Sequence, residues 1–320
     1  MAGLPAALGA ALEELTAQMD ASRLERDARA LSEAYRTRTG AGERLLTREG
    51  EAAAYAAARM PATYAAAHAA LSEALCSAGV APRTLLDCGA GTGAVSWAAD
   101  SLLSLRSVVC LEREAAMRAV GSRLMLAGGD ALRSARWEEG DLTAPGPLPE
   151  AELVIEGYML GELAGEARLS VARRLWASAG KMLLLVEPGT PQGFANLAAV
   201  RRELGALGAH VAAPCPAGSA DCPMAGEDWC HFAVRVQRSR LHRALKGGEA
   251  PYEDEKYACL ALTRVPAAHA CAARVLRHPQ IGPGRITLTL CEGGERRMRV
   301  VTKIDPLWKR ARKVGAGDGL

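Results

Sequence analysis

Three acids stand at matching places along this chain: Asp87, Glu112 and Asp141. Asp87 ends the apolar stretch Leu85-Leu86 and precedes a glycine run, Gly89-Ala90-Gly91-Thr92-Gly93. Glu112 closes the apolar run 107–111, and Asp141 follows the short run 136–139. An ionised carboxylate only accepts hydrogen bonds. Acids at successive strand ends therefore suit a ligand rich in hydroxyls and amines, such as an adenosyl amino acid, better than a pyrophosphate. Glycines at 89, 91 and 93 can take positive φ and let such a ligand approach the backbone.

Two ligands compete for this loop. Gly89-x-Gly91-x-x-Ala94 formally fits a dinucleotide fingerprint. Asp87-x-Gly89-x-Gly91-x-Gly93 fits the first motif of the S-adenosylmethionine-dependent methyltransferases better. Asp87 would then meet the amino group, Glu112 the ribose hydroxyls and Asp141 the adenine amine. Tyr158 and Glu162 lie where a methyl acceptor would approach, and they are the candidate catalytic residues. The acceptor side is otherwise unusual. Enzymes that methylate exocyclic amines often carry Asn/Asp-Pro-Pro-Tyr/Phe there, and this chain has Glu156-Gly157-Tyr158-Met159. No cysteine nucleophile for cytosine-5 chemistry occurs between residues 142 and 214.

A second constellation is made of thiols. Cys215, Cys222 and Cys230 share one proline-rich loop, and Cys291 follows a strand-like run far downstream. Both Zn²⁺ and a 4Fe–4S cluster accept four thiolates. The chain has no Cys-x-x-Cys knuckle in that loop, which weakens zinc, while Cys-Pro steps at wide spacing suit a bulkier cluster. His231 is an alternative ligand. Cys76, Cys88, Cys110, Cys259 and Cys271 lie in apolar elements and read as buried thiols.

A third is basic. Residues 231–320 hold 18 Lys/Arg and 8 Asp/Glu, a net of +10, against 21 and 28 in residues 1–230, a net of −7. Arg235, Arg238, Arg240, Arg243 and Lys246 fall mostly on one side of a segment predicted to be helical at 238–246. Such a stripe would give salt-dependent contacts to RNA phosphates.

The elements needed to position these groups follow from periodicity. Residues 4–38 read as helical, with Leu4, Leu8, Leu12 and Leu15 at helical spacing, and two further helices are predicted at 44–59 and 61–78. Pro61 suits a first turn and separates that pair. From residue 84 strands alternate with helices, which implies a parallel sheet covered on both faces. Strands are expected at 84–88, 107–111, 136–139, 153–158 and 182–186, with helices at 94–105, 114–127, 164–179 and 192–207. Ligands of such sheets bind at the carboxyl ends of the strands, where all three acids fall. The expected division is a helical amino-terminal extension at 1–79, a Rossmann-like domain at 80–264 with a cysteine-rich insert at 212–231, and a small basic β extension at 265–320. No apolar run reaches membrane-spanning length. The first residues lack the features of a signal peptide. A cytoplasmic monomer with no membrane association is expected.

Taken in order, these segments resemble the methyltransferase-like small-ribosomal-subunit assembly family, which has bacterial and mitochondrial members. The resemblance is carried by Arg59-Met60-Pro61-Ala62-Thr63-Tyr64, by Leu86 to Gly93, and by Gly157-Tyr158-Met159-Leu160-Gly161-Glu162-Leu163. It continues through Val186-Glu187-Pro188-Gly189, Ala213-Pro214-Cys215-Pro216, Asp228-Trp229-Cys230-His231-Phe232, the segment 238–243 and the segment 252–257. It implies a class I S-adenosylmethionine-dependent methyltransferase fold acting on or with the small ribosomal subunit and its 16S rRNA. Either rRNA methylation or non-catalytic assembly work is open. The resemblance also implies a 4Fe–4S cluster on Cys215, Cys222, Cys230 and Cys291, since mitochondrial relatives carry one on four cysteines.

Overall fold

A computed structural model describes residues 3–17, 19–37, 48–216, 222–224, 228–246 and 249–320. Helices α1 (Ala6–Thr16), α2 (Ala21–Thr37) and α3 (Glu49–Ala78) come first. The expected stretch at 4–38 is thus two helices. Asp20 separates them, its Oδ1 accepting the Arg23 N–H at 2.7 Å as an N-cap does. The break expected at 39–42 and the start of the helix expected at 44 lie outside the described residues.

Strand and helix then alternate: β1 (Thr84–Cys88), α4 (Ala94–Asp100), β2 (Ser107–Glu112), α5 (Ala115–Met125), α6 (Asp130–Arg133), β3 (Arg136–Glu139) and β4 (Ala151–Gly157). After a 3-10 turn at Leu160–Glu162 come α7 (Gly165–Ser178), β5 (Ala179–Pro188), α8 (Pro191–Ala206) and β6 (His210–Ala213). The last third holds β7 (Phe232–Gln237), α9 (Arg240–Lys246), β8 (Tyr252–Thr263), β9 (Ala273–Val275), β10 (Gln280–Gly282), β11 (Arg285–Glu292), β12 (Glu295–Thr302) and α10 (Trp308–Ala311).

The main sheet runs β3-β2-β1-β4-β5-β8-β6, with β7 also paired to β8. Strands β1 to β5 are parallel. Strand β8 is antiparallel to β5, and it is long enough to pair with β6 at one end and β7 at the other on its far edge. Chain order reverses between β1 and β4, so the glycine loop after β1 sits at the switch point where such sheets bind ligands. This order, with its single antiparallel return beside β5, is the Rossmann-like methyltransferase fold.

Two apolar layers enclose the sheet. Leu85, Val108, Leu153 and Leu184 face α1, α3, α4 and α5, while Leu86, Val154, Leu183 and Leu185 face α7 and α8. Helix α3, which the sequence reading put in an extension, is part of the first layer. It is one helix, not the expected pair, and Pro61 lies inside it. Proline there removes one backbone hydrogen bond. Neighbours as small as Ala56, Ala57, Ala58 and Ala62, all at most 2 % exposed, let the helix pack closely enough to continue through the gap. None of the helices is long and apolar enough to cross a membrane among the described residues.

A second sheet, β10-β11-β12 with β9 also on β11, has its own core around Val275, Ile286, Leu288 and Val301. Arg274 joins it to the rest. Its buried guanidinium donates to the Pro214 carbonyl at 2.8 Å and the Gly317 carbonyl at 2.8 Å, and pairs with Glu73 on α3 at 2.5 Å. Arg274→Met strands two carbonyls and leaves Glu73 without its ion pair. A loss of about 3 kcal/mol is expected, read as a lower denaturant midpoint at constant m-value.

Candidate adenosyl site and thiol cavity

The loop after β1 is built on left-handed glycines, with φ of 73° at Gly89, 55° at Gly91 and 86° at Gly93. They differ in what surrounds them. A Cβ on Gly93 would stand 2.6 Å from Met125 Cε, so this glycine serves close packing. A Cβ on Gly91 would meet nothing within 4 Å, so this one faces open space where a ligand can lie against the backbone.

Asp87 lies beneath the loop, fully buried. Its Oδ2 accepts the Ser96 N–H at 3.1 Å and the Ser96 hydroxyl at 2.6 Å, which ties the start of α4 to β1. Its Oδ1 has no hydrogen-bond partner among the described residues. Burial pushes the carboxyl up to about 7, against the lowering effect of the Ser96 bonds. Glu112 is buried at the end of β2, where Oε2 accepts the Gly91 N–H at 2.8 Å and Oε1 the Glu114 N–H at 2.8 Å. It therefore touches the open glycine of the loop directly. Strand β3 stops at Glu139, and the exposed Asp141 opens a turn, its Oδ1 accepting the Thr143 N–H at 2.8 Å and hydroxyl at 2.6 Å.

The acceptor side is ordered by its own hydrogen bonds. Glu156, fully buried at the end of β4, accepts the N–H groups of Met159 at 2.6 Å and Leu160 at 3.1 Å. Glu187, at the end of β5, accepts the Gly161 N–H at 3.3 Å. Burial pushes both up, Glu187 to about 7. Tyr158 has φ of 67°, a region that bulky side chains rarely adopt. Its hydroxyl donates to Glu255 on β8 at 3.3 Å, and Arg59 of α3 stands 3.9 Å from the same oxygen. The phenol is thus engaged with β8 and α3. Glu162 is raised by burial and then by the nearby Glu112 and Glu114, which oppose the Arg113 guanidinium. Its carboxyl is therefore near enough to Glu112 and Glu114 to feel their charge. The site as a whole is acid-rich, and a cationic ligand suits it better than a phosphate.

The raised acids make stability depend on pH. An unfolded chain ionises such groups near pH 4, whereas folded Asp87 and Glu187 hold their protons to about 7. The folded state binds more protons in that window, so the free energy of unfolding falls as pH rises through it. Urea titrations between about pH 4 and 7 should show the fall, and Asp87→Asn should remove its share.

The thiols converge. Cys215, Cys222, Cys230 and Cys291 line one cavity of about 50 Å³. Cys259 of β8 lines it too, a position hidden in the sequence by its apolar strand. Arg201 of α8 donates to Cys215 Sγ at 3.2 Å. Trp229 anchors the Cys230 segment through its indole N–H on the Gly189 carbonyl at 3.0 Å, and Asp228 is clamped between Arg277 and Arg296. His231 instead stacks on Trp229, with ring centroids 5.3 Å apart. Burial pushes the Cys291 thiol up to about 11 and Cys259 to about 12. Among the described residues no three His, Cys, Asp or Glu side chains stand close enough to hold a single metal ion. The four thiols share a cavity without forming one tight coordination sphere.

The basic stripe is largely neutralised from within. The antiparallel pairing of β7 with β8 sets Arg235 opposite Asp254, and the two pair through 2.8 and 3.0 Å bonds. Arg238 donates to Glu253 at 3.2 and 3.0 Å, and Lys246 at 2.7 Å. Burial raises the Glu253 carboxyl, but the adjacent His242 and Lys246 outweigh it and hold the group well below the usual carboxylate range. Arg240 and Arg243 are exposed.

The profile of the family described as mitochondrial small ribosomal subunit Rsm22 matches residues 49–320. The human mitochondrial ribosome assembly protein METTL17 is 32% identical over 238 residues, covering 67% of this chain and 50% of that protein. The chain thus spans about half the length of the curated relative it matches. Among solved structures, the magnesium protoporphyrin IX methyltransferase of Synechocystis PCC 6803, with bound S-adenosylmethionine, is 14% identical. It covers 75% of this chain and 97% of its own at a TM-score of 0.40. Mitomycin 7-O-methyltransferase is 15% identical, covering 68% and 56% at a TM-score of 0.39.

Proposed function

The chain belongs to the mitochondrial small ribosomal subunit Rsm22 family, and from that premise we propose that it is an S-adenosylmethionine-binding assembly factor of the small ribosomal subunit, built on a methyltransferase fold. The observation that carries the ligand is the acid-rich cradle at the switch point. Glu112 on the Gly91 N–H, Asp87 beneath the loop and the nearby Glu162 complement a ligand with an ammonium and a sulfonium charge. They would repel the pyrophosphate of a dinucleotide. Glu112 and Asp87 hold the ligand in this reading, with Gly89, Gly91 and Gly93 giving it room, and Asp141 at the rim on the adenine side.

Methyl transfer to rRNA is the second reading. Tyr158 and Glu162 stand beside the cradle, but the Tyr158 hydroxyl is given to Glu255, which favours the assembly role. Labelled methyl transfer to immature small subunits separates the two. Subunit binding without incorporated label leaves the assembly factor, and stoichiometric label establishes the enzyme.

A 4Fe–4S cluster on Cys215, Cys222, Cys230 and Cys291 belongs to the same proposal. The donor set fits: four thiols line one cavity, and a cluster needs a wider spacing of its thiolates than a single Zn²⁺ does. The cluster would tie the loop after β6 to β11 and so contribute to folding of the last third. We also propose 16S rRNA as the partner of the basic face. Since Arg235, Arg238 and Lys246 are paired internally, Arg240 and Arg243 are the phosphate contacts. Replacing both with Gln should lower the salt slope of RNA binding by about 2, whereas Arg238→Gln should mainly lower stability. Filter binding across a salt series measures both.

A further inference from the structure

Four thiolates outnumber the positive charge of either a 4Fe–4S centre or a zinc ion, so either centre would place net negative charge inside the protein. A buried net charge is costly unless an opposite charge and hydrogen bonds meet it. The thiol cavity has such a charge on its wall. Arg201 projects from α8 with its Nη1 3.2 Å from Cys215 Sγ, and its neighbour on the cavity wall is the Arg274 guanidinium, already committed to Pro214, Gly317 and Glu73. Arg201 donates to the sulfur itself, from a helix outside the cysteine loop. Its neighbour Arg202 is exposed on the same helix.

We infer that Arg201 is a positioning residue for an anionic thiolate centre. It orients Cys215 through a charge-assisted N–H to sulfur bond and sets the electronic properties of whatever the four thiolates hold. The inference rests on the proposed centre at Cys215, Cys222, Cys230 and Cys291. Hydrogen bonds and charge at cluster sulfurs raise the reduction potential, because they stabilise the more negative, reduced form. Removing the guanidinium therefore makes the centre harder to reduce.

The test uses the full chain purified without oxygen, with iron, sulfide and zinc measured, and dithionite titration followed by electron paramagnetic resonance. Arg201→Met is expected to keep iron and sulfide but to shift the one-electron equilibrium at least about tenfold toward the oxidised form, which is about 59 mV. Arg201→Lys should recover part of the shift, and Arg202→Met should match the parent. A cluster-loaded Arg201→Met with the parental potential overturns the inference. Should Arg201→Met fail to load, restored loading in Arg201→Lys supports the inference, and failure of both overturns it. A parent that holds zinc without sulfide removes the cluster, and Arg201 is then judged by zinc loss to a chelator. Loss at least about tenfold faster in Arg201→Met supports its role, and equal rates overturn it. A parent with neither metal removes the centre and this inference together, leaving methyl-donor and subunit binding as separate measurements.

Discussion

Exchanging Cys230 for Ser is expected to abolish the iron and sulfide loading that the proposed cluster requires and to loosen the last third of the chain. Cys230 sits at the meeting point of three units: the loop after β6, the end of β5 through Trp229 on the Gly189 carbonyl, and β11 through Cys291. Its half-buried side chain packs against Met224, Leu276 and Cys291. A hydroxyl is a poor ligand for iron and is unpartnered in that apolar setting. Because metal binding and folding of such a site are one equilibrium, iron content should drop to background. Limited proteolysis should then cut between residues 214 and 231 at least about tenfold faster than in the parent. Cys76→Ser is the control, since that thiol is exposed on α3. Equal iron and equal protection in the Cys230 variant would remove the cluster from the account.

The second large effect is on the methyl donor. Asp87→Ala should weaken S-adenosylmethionine at least about thirtyfold, or roughly 2 kcal/mol. The carboxylate has two roles that the substitution removes together. It fastens the start of α4 through Ser96, and its second oxygen is unpartnered beneath the ligand loop. Asp87→Asn keeps the size but not the charge, so its affinity should lie between. Calorimetry in buffers of different ionisation enthalpy adds a proton count. With Asp87 held to about 7, a cationic ligand should release protons below that pH, and the release should vanish in the Asn variant.

How far the chain could be read in advance varies with the element. The parallel strands were legible because both faces are covered: Leu85-Leu86, Val108-Val109 and Leu183 to Val186 are apolar runs bounded by acids or glycines. Helix α3 reads as two helices in sequence because Pro61 is a strong local signal, while the close packing of Ala56 to Ala62 that overrides it is tertiary. The stripe at 235–246 looked solvent-facing because helical spacing says nothing about β8. Arg235 and Asp254, of opposite charge and facing each other on β7 and β8, are the kind of cross-strand pair that signals such pairing. Asp141 stands past the carboxyl end of β3 as the strand pattern implies, while the local turn that takes its side chain is set by Thr143, two residues on. Cys259 was hidden by its neighbours, Ala258, Leu260 and Ala261, which are what any buried strand contains. Arg201 had no signal at all, because its partner Cys215 is reached only once α8 and the loop after β6 are folded together.

Co-sedimentation is the most direct measurement of the whole proposal. The full chain, labelled S-adenosylmethionine and small subunits isolated from cells lacking the protein are mixed and spun through a sucrose gradient. Protein and methyl donor are expected to travel together with the subunit at one equivalent each, and Asp87→Ala should lose the donor while keeping the subunit. A chain that stays at the top of the gradient, with or without the donor, would contradict the account.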